Sequence, residues 1–417
     1  MGRFSYLTID FNSYFASVEQ QMNPALRGRP IAVVPVMSDT TSAIAASYEA
    51  KAFGVKTGTK IWEAKRMCPG LVLVPARHEL YVDIHERLKE EVQNHVPLLY
   101  TGSIDEFTCK LIGDECAPAN ARQIARNMKA GIKKNVGECL NSSIGIAPTR
   151  LLSKIASDMQ KPDGLTLIES KDLPHVLYPL KLTDLPGIAS NMEARLHKAG
   201  ITSIEQLMSL EPKAARHAWG SVGGERYWYE LSGVDVPKGE DGRRSVGHSR
   251  VLSPRLRKKD DARFVVRSLL LKCATRIRRY GLVAGGFGLA VHPDYGSRNR
   301  EPLVQESKIS PTQDSFTLLG HLDQFWNELP ERSGPFRKVS VWLYRLSEEN
   351  KRERDLFVET RPDGFTKKEV LWRSVDKLVA RYGRETVTLA SQKDLGLQYL
   401  GAKIAFTRVP DAQEFRE

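Results

Sequence analysis

The pattern of hydrophobic and polar positions in the first 150 residues predicts four strands and two amphipathic helices. The strands are short apolar or alternating runs at 4–11, 98–104, 107–112 and 141–147. The helices repeat apolar residues every three or four positions, at Tyr81, Ile84, Leu88 and Val92 and at Ala121, Ile124, Ala125, Met128 and Ile132. Residues 12–76, which predict a strand at 30–36 and helices near 47–53 and 60–67, are set aside as an insertion. The remaining order is β-α-β-β-α-β, which is the ferredoxin-like split βαβ arrangement.

This arrangement brings three carboxylates together. In the ferredoxin-like fold the first strand lies antiparallel beside the third, so its end is next to the turn between the second and third strands. Asp10 ends the first strand, and Asp105 and Glu106 occupy that turn. Acidic residues are common in turns, but that alternative does not account for Asp10. We therefore predict that these three side chains form one cluster.

Clustered carboxylates without His or Cys partners are typical of sites for hard divalent cations, Mg²⁺ first. Two such ions can activate an attacking oxygen and stabilise a leaving one, which is the chemistry of phosphoryl and nucleotidyl transfer. On this chemistry alone, a nucleotide cyclase, a nuclease and a polymerase all remain open.

The rest of the chain predicts a helical region, a linker and a second α+β domain. The predicted elements are a helix, a turn and a strand in 149–168, two helices around a Pro-Gly turn in 180–200, helices at 260–280, 311–328 and 366–382, and strands at 285–292 and 337–346. Residues 236–244 are rich in Gly and charge, which indicates a domain boundary.

Positive charge is concentrated in one segment. The chain has a net charge of +12, and residues 243–279 contain thirteen Lys or Arg and two Asp. Charge this concentrated favours a polyanionic partner over a merely solvated helix face. No run approaches the ~20 apolar residues of a membrane span, so we expect nucleic acid and no membrane. The five cysteines lack paired spacing, which argues against disulfides and favours a reducing, cytoplasmic compartment.

Six short motifs within residues 1–345 resemble those of the Y-family (translesion) DNA polymerases of the polymerase IV and V type. In chain order they are IDFNSYFASVEQ, SYEAKAFGV, EAKRMCP, SIDEF, SKIASDMQKPDG and LPGIA. The resemblance implies an α+β multidomain fold with a ferredoxin-like palm. The implied parts are the palm (1–11 and 77–167), the fingers (12–76), a helix-hairpin-helix thumb (168–235), a linker (236–244), a small α+β little finger (245–345) and a C-terminal tail (346–417).

The resemblance also implies a DNA-template-directed DNA polymerase that uses two Mg²⁺ ions, with Mn²⁺ as a substitute. Asp10, Asp105 and Glu106 would be catalytic and would hold the metals together with the backbone carbonyl of Phe11. Glu106 falls nearest the primer 3′-hydroxyl. Phe15 falls at the steric-gate position, where its ring would pack under the incoming sugar and exclude a 2′-hydroxyl.

The implied nucleotide contacts come from the palm and the fingers, at Tyr14, Phe15, Tyr48, Lys51 and Lys161. Two positions depart from the family's pattern. Lys51 stands where Arg is usual and offers a point charge rather than a bidentate fork. Ala45 stands where Thr is frequent and has no hydroxyl for a phosphate. We therefore expect weaker nucleotide binding than in a typical member.

Primer-template DNA is the implied partner of two segments. Backbone N–H groups near Gly187 and Ile188 would bind a phosphate without reading sequence, although the family has Gly where this chain has Ala189. The basic stretch falls in the little finger, which in the family lies along the major groove, and its candidate phosphate contacts are Arg243, Arg244, Arg250 and Arg255.

The tail segment ERDLFVE (353–359) resembles the sliding-clamp peptide of polymerase V relatives, without the leading Gln. Leu356 and Phe357 would enter a clamp pocket, and an ordinary apolar pair in a loop is the alternative. We expect a monomer, nucleoid-associated in a bacterial cytoplasm or nuclear in a eukaryote. Two other functions remain as alternatives, a nuclease or cyclase on the same palm and a non-catalytic DNA-binding paralogue.

Overall fold

The computed structural model describes residues 4–237, 243–294, 301–330, 333–351 and 366–383, together with 386–387, 389, 409–410 and 415. The chain divides into two compact units, and the first of them comprises residues 1–237 together with 402–415. Its elements are β1 (Tyr6–Phe11), α1 (Tyr14–Met22), β2 (Ile31–Val34), β3 (Ala45–Ala46), α2 (Tyr48–Lys51), α3 (Ile61–Met67), β4 (Val72–Pro75), α4 (His78–Gln93), β5 (Leu98–Ser103), β6 (Glu106–Lys110), α5 (Pro118–Asn135), β7 (Ser142–Ala147), α6 (Arg150–Met159), β8 (Leu165–Leu167), α7 (Ser190–Lys198), α8 (Ile204–Met208), α9 (Pro212–Trp219) and α10 (Val222–Leu231).

Five strands of the first unit form one sheet in the order β5-β6-β1-β7-β8. β1 is antiparallel to both β6 and β7, and the added strand β8 is parallel to β7. Leu7, Ile9 and Phe107 lie in one buried cluster with the apolar faces of α4 and α5. The predicted β-α-β-β-α-β order and the ferredoxin-like palm are therefore confirmed.

α6 covers the opposite face of this sheet. Thr8 points to that face, and its Oγ1 lies 2.7 Å from Ser153 Oγ on α6. The helix approaches β7 so closely that a Cβ at Gly145 would lie 2.1 Å from the Ser153 carbonyl oxygen. Because side chains alternate along a strand, Asp10 leaves β1 on the same face as Thr8. The sheet therefore presents Asp10 to α6.

The insertion between β1 and α4 contains a small sheet in the order β3-β2-β4. β2 and the short helices α2 and α3 agree with the prediction from sequence. β3 and β4 were not predicted, because β3 has only two residues and β4 is a four-residue run that is only partly buried, unlike the fully buried β2.

Four helices, α7 to α10, follow the palm in the first unit. Two helices were predicted around the Pro-Gly turn of 180–200, but only the second is an α-helix. The first is a single 3₁₀ turn, Leu182–Asp184. A turn this short has no apolar face of its own, and it is held by Leu182 and Leu185, which are buried in the cluster beneath it.

The second unit is a four-stranded sheet with helices. Its elements are β9 (Ser245–Val251), α11 (Lys259–Arg279), β10 (Leu282–Pro293), β11 (Leu303–Thr312), α12 (Ser315–Glu328), β12 (Phe336–Glu348) and α13 (Lys367–Tyr382), and the sheet order is β11-β10-β12-β9. The helix predicted at 311–328 begins only at Ser315, where Asp314 caps its first turn. The residues before it form β11, which was not predicted.

The predicted C-terminal tail is not separate from the rest of the chain. β12 extends to Glu348, three residues past the predicted end of the little finger. Trp372 of α13 is buried, and its ring lies 5.1 Å from that of Phe316 on α12. Farther on, Val409 and Phe415 pack against the core of the first unit. Apolar side chains anchor these segments, although the flanking sequence is strongly charged.

Candidate active site

The three predicted carboxylates meet at the end of β1. Asp10 lies directly opposite Glu106 in the β1–β6 ladder. Asp105 occupies the turn before β6, and its backbone carbonyl accepts a hydrogen bond of 2.8 Å from the Phe11 N–H. Its carboxylate accepts a hydrogen bond of 2.5 Å from Ser103 Oγ. The hairpin tip is thus fixed to the end of β1, as the fold predicted.

Two lysines are interleaved with these carboxylates. Lys154 Nζ on α6 lies 2.5 Å from Asp10 Oδ2 and 3.0 Å from Glu106 Oε2. Lys161 Nζ, in the turn after α6, lies 2.7 Å from Asp10 Oδ1. Asp158 accepts from both ammonium groups, at 3.2 and 2.7 Å. The result is a compact network of alternating charge.

Burial and mutual repulsion affect the acids of this network. Burial, followed by the charge of Asp10, raises the pKa of Asp105. Burial is also the main reason that the pKa of Glu106 is raised, and Lys154 partly offsets it. For Lys154 and Lys161, burial opposes the charged form, but the attraction of Asp10 and the other neighbouring acids prevails and raises the pKa of each. Negative charge at this site therefore needs a cation close by.

The donor set suits a hard divalent cation. Asp10, Asp105 and Glu106 offer carboxylate oxygens, which Mg²⁺ prefers. Among the residues that the structure describes, no three acidic, His or Cys side chains have the arrangement of a metal-ligand group, and Lys154 lies between Asp10 and Glu106. The carboxylate oxygens fit the Mg²⁺ that the family resemblance implies. Lys154 and Lys161 carry the positive charge that lies beside these oxygens. The contribution of the Phe11 carbonyl as a ligand stays a prediction.

Phe15 and Tyr14 have different environments despite being neighbours. Phe15 is half-buried and stacks on Tyr81, with ring centroids 4.3 Å apart and planes 14° apart. Tyr14 is only 3% exposed, and its hydroxyl donates to the Tyr81 carbonyl at 2.6 Å. The Tyr14 side chain therefore belongs to the core, and the prediction that it contacts the nucleotide could hold only for its backbone.

The fingers residues lie close to the palm charges. Lys51 Nζ lies 4.4 Å from the centre of the Tyr48 ring. Burial and then repulsion from Lys161 lower the pKa of Lys51, with Asp10 acting in the opposite direction. Burial raises the pKa of Tyr48, while Lys161 acts to lower that pKa and Asp10 to raise it. The structure therefore brings the predicted triphosphate residues of α2 and the palm to one place.

The predicted phosphate-binding turn of the thumb forms, with one change. Gly187 has φ +93°, a left-handed conformation that favours glycine. The Ile188 N–H donates to the Leu185 carbonyl at 3.1 Å, so it is already used within the turn, contrary to its predicted role. Ala189 has φ −95°, so this position does not require the Gly of the family pattern. No side chain caps the first turn of α7, so no side chain occupies the first backbone N–H groups of that helix.

A cavity of about 370 Å³ lies beside this turn. Its walls are Lys154 and Asp158 from α6 and residues 183–189 from the thumb. Lys154 and Asp158 of the charge network and the predicted phosphate-binding turn thus border the same space within the first unit.

The basic stretch is less uniformly exposed than its sequence suggests. Arg243, Arg244 and Arg255 are exposed, whereas Arg250 is half-buried and burial lowers its pKa. Arg250 shares the strand alternation of buried Val246, so it leaves β9 on the face that packs on helices. Other cations of the stretch are engaged in ion pairs, with Arg257 on Asp294, Arg263 and Arg267 on Asp323, and Arg278 on Asp376. The proposed clamp residues Leu356 and Phe357 lie outside the described residues.

Sequence reasoning did not assign Lys154 and Asp158 to the site. A signal was available, because Lys154 and Asp158 are four residues apart, and residues at that spacing share one face of a helix. A lysine on a helix is usually a surface charge, and only the contact of α6 with β1 shows that this one is not.

Comparison with known proteins agrees with this geometry. The model of the impB/mucB/samB family matches residues 9–158, and the model of that family's C-terminal domain matches residues 243–356. DNA polymerase IV of Moorella thermoacetica is 32% identical over 409 residues, covering 95% of this chain and 98% of that protein. DNA polymerase IV of Bacillus velezensis is 30% identical and covers 91% of each chain.

Solved structures share the fold. A Y-family DNA polymerase chimera of Dbh and Dpo4 is similar with a TM-score of 0.69 at 22% identity, covering 82% of this chain and 99% of that one. An insertion ternary complex of Dbh DNA polymerase is similar with a TM-score of 0.57 at 23% identity. Among the described residues, no helix is both long and apolar enough to cross a lipid bilayer. The chain belongs to the impB/mucB/samB family, the Y-family of DNA polymerases.

Proposed function

We propose that this protein is a translesion DNA polymerase that adds dNTPs to a primer 3′-hydroxyl under the direction of a DNA template. The observation that carries the proposal is the meeting of Asp10, Asp105 and Glu106 beside Lys154 and Lys161. Relatives similar over almost the whole chain are DNA polymerases IV, and this chain retains all three acids of the predicted catalytic set.

The acids would hold two Mg²⁺ ions, with Mn²⁺ as a substitute, and these ions would supply charge neutralisation for the attacking and leaving oxygens. Glu106 is proposed to lie nearest the primer 3′-hydroxyl. Its place opposite Asp10 in the β1–β6 ladder and its contact with Lys154 at 3.0 Å support a role for it at the reacting end of the site. Asp10 connects the two lysines and orients them toward the same space.

Lys161, Lys51 and Tyr48 are proposed to bind the triphosphate of the incoming nucleotide. All three lie close enough to influence one another's ionisation, which supports a common anionic ligand. Phe15 is proposed as the steric gate, because its ring is partly exposed and is supported from behind by Tyr81.

Primer-template DNA is the proposed partner of the α7 N-terminus and the exposed arginines of the second unit. The cavity beside Lys154 and the thumb turn offers space for a backbone that leads from the phosphate-binding turn to the acids. Binding of a sliding clamp through Leu356 and Phe357 stays a prediction from sequence.

Primer extension with Mg²⁺ tests the assignment. We expect Asp105→Ala/Glu106→Ala to lower the extension rate about 10³-fold or more, equivalent to ~4 kcal/mol of transition-state stabilisation. Glu86→Ala/Glu90→Ala removes the same charge from exposed positions of α4 and is the matched control. Extension that survives the first double change would overturn the site. DNA binding without extension by the unaltered protein would favour the non-catalytic paralogue, and cut DNA or a cyclic nucleotide would favour the nuclease or cyclase.

A further inference from the structure

Two buried polar residues that the proposed mechanism does not use lie under the turn that carries Lys161. Asn12 follows β1 and is 2% exposed, and Ser143 of β7 is 1% exposed. The Asn12 Nδ2 group donates to Ser143 Oγ at 3.2 Å. Burying a polar side chain costs free energy unless it forms hydrogen bonds. The hydrogen-bond partners of Asn12 and Ser143 therefore indicate what these two residues do.

Those partners are the backbone of the turn Gln160–Gly164. Asn12 Oδ1 accepts from the Asp163 N–H at 2.8 Å. The Ser143 hydroxyl donates to the Gln160 carbonyl at 3.1 Å and accepts from the Gly164 N–H at 3.2 Å. Backbone groups on both sides of Lys161 are therefore held by two side chains from the central strands.

The turn needs such support. Asp163 has φ +59°, a left-handed conformation that non-glycine residues adopt at an energetic cost. Lys129 holds it from the outside, with Nζ 2.6 Å from the Asp163 carbonyl oxygen and 2.9 Å from its carboxylate. Asn12 and Ser143 hold it from the inside, where water does not compete.

The chemistry of Asn12 is specific to this task. A carboxamide presents an acceptor to the Asp163 N–H and a donor to Ser143 at the same time. A carboxylate at position 12 would keep the acceptor but lose the donor, and it would add negative charge two residues from Asp10. An apolar side chain of the same size would lose both.

We propose that Asn12 and Ser143 are positioning residues of the nucleotide site, which hold the turn so that Lys161 Nζ is presented beside Asp10 to the triphosphate of a dNTP. This inference rests on the proposed function, which assigns Lys161 to the triphosphate. A turn released from Asn12 and Ser143 would move the Lys161 cation, and nucleotide affinity would fall. The carboxylates are held by other contacts, so the rate at saturating nucleotide would change little.

The test measures dNTP affinity in two ways on the full-length protein. One is the equilibrium Kd of a dNTP for the complex with a dideoxy-terminated primer-template and Ca²⁺, and the other is KM and kcat in Mg²⁺-dependent extension. We expect Ser143→Ala and Asn12→Asp each to raise Kd and KM about tenfold, the effect of losing one or two well-placed hydrogen bonds, with kcat within about twofold of its original value.

Ser153→Ala is the matched control. It removes a fully buried hydroxyl between α6 and β1 but touches no atom of the turn. We expect it to lower the thermal unfolding midpoint about as much as Ser143→Ala does, with Kd and KM unchanged. Equal increases of Kd in Ser143→Ala and Ser153→Ala would show a merely structural effect and would overturn the proposal.

A double-mutant cycle with Lys161→Met separates this inference from the function on which it rests. We expect Lys161→Met to raise Kd by itself and Ser143→Ala to have no further effect in that background. If Lys161→Met left Kd unchanged, the triphosphate role of Lys161 would be wrong. If Lys161→Met raised Kd while Ser143→Ala and Asn12→Asp did not, or if their effects simply multiplied, the positioning role would be wrong.

Discussion

The proposed gate residue, Phe15, owes its position to the residues behind it. Its ring stacks on Tyr81, and the Tyr81 hydroxyl donates to Glu19 at 2.7 Å. Glu19 is buried and is also paired with Arg77. Because Tyr81 is held in place behind it, the Phe15 ring has little room to move away from an incoming sugar. Phe15 is therefore proposed to exclude a 2′-hydroxyl by shape alone.

We expect Phe15→Ala to increase ribonucleotide incorporation relative to dNTP incorporation at least about tenfold, or ~1.4 kcal/mol of lost discrimination. Phe15→Tyr keeps a ring of similar size and should keep most of the discrimination. The measurement is the ratio of kcat/KM for a dNTP and the matching rNTP. Unchanged discrimination in Phe15→Ala would show that another residue forms the gate.

Lys51 and Ala45 lie on the fingers side of the proposed nucleotide site. Ala45 is buried in β3, and Lys51 is exposed, with its Nζ over the Tyr48 ring. Burial and the nearby Lys161 lower the pKa of Lys51, so it is a less favourable cation than an arginine in the same place. Substitutions at these two positions should therefore be able to strengthen nucleotide binding.

We expect Lys51→Arg to lower the dNTP KM several-fold, because a guanidinium stays charged and can grip a phosphate with two donors. Ala45→Thr should lower it less, since it adds one hydroxyl and must fit into a buried strand. Steady-state kinetics of single-nucleotide addition measures both. The expectation would be wrong if neither change lowered KM while both variants kept the unfolding midpoint of the original protein.

At the scale of elements, a buried cation on α11 contributes to holding α13 in place beside the packing of Trp372. The guanidinium of Arg278 on α11 donates to Asp376 of α13 at 2.5 and 2.9 Å, and its third nitrogen donates to the Gln313 carbonyl and Ser315 Oγ. The Arg278 side chain is only 3% exposed. Removing the partner of a buried charge is more harmful than removing the pair.

We expect Asp376→Ala to destabilise the second unit by about 3 kcal/mol, because Arg278 would remain buried without its carboxylate. Arg278→Met/Asp376→Ala should be less destabilised than the sum of the single changes. Hydrogen exchange of the α13 backbone amides follows the local effect, and urea unfolding follows the overall one. Exchange protection that is the same in Asp376→Ala as in the unaltered protein would show that apolar packing at Trp372 alone holds the helix.

At the scale of the whole molecule, the net charge of +12 is concentrated in residues 243–279. The number of Lys and Arg residues in that stretch overstates how many cations are available to a polyanion. Four arginines of the 243–279 stretch are paired with aspartates, and Arg276 is buried and bonded to His248. Exposed cations such as Arg255 are those that can replace the counterions of DNA. Sequence charge alone does not distinguish the two groups.

We expect Arg255→Ala to weaken DNA binding about equally for all sequences and to reduce the slope of log K against log salt by about one. Arg267→Ala, which removes a cation already paired with Asp323 at 2.6 Å, should leave the slope unchanged. Fluorescence anisotropy with labelled primer-template at several salt concentrations measures both. Equal loss of slope in the two variants would mean that DNA competes successfully for the paired arginines.

Segments with a strong hydrophobic periodicity were predicted correctly from the sequence. The long helices α4, α5 and α11 and the strands β1, β7 and β12 could be predicted because each buries an apolar face. β3, β4 and the 3₁₀ turn at Leu182 escaped prediction, because segments this short are held by contacts far away in sequence rather than by their own pattern.

The sequence by itself determined that Asp10 and the pair Asp105 and Glu106 come together, because the β-α-β-β-α-β order leaves no other place for the end of the first strand. It also carried the family resemblance. Only the tertiary structure decided the environment of each group. The approach of α6 to the sheet puts Lys154 among the acids, and the turn of the backbone after β1 puts Tyr14 in the core and Phe15 beside it at the surface. Such outcomes depend on distances across elements, which no local pattern encodes.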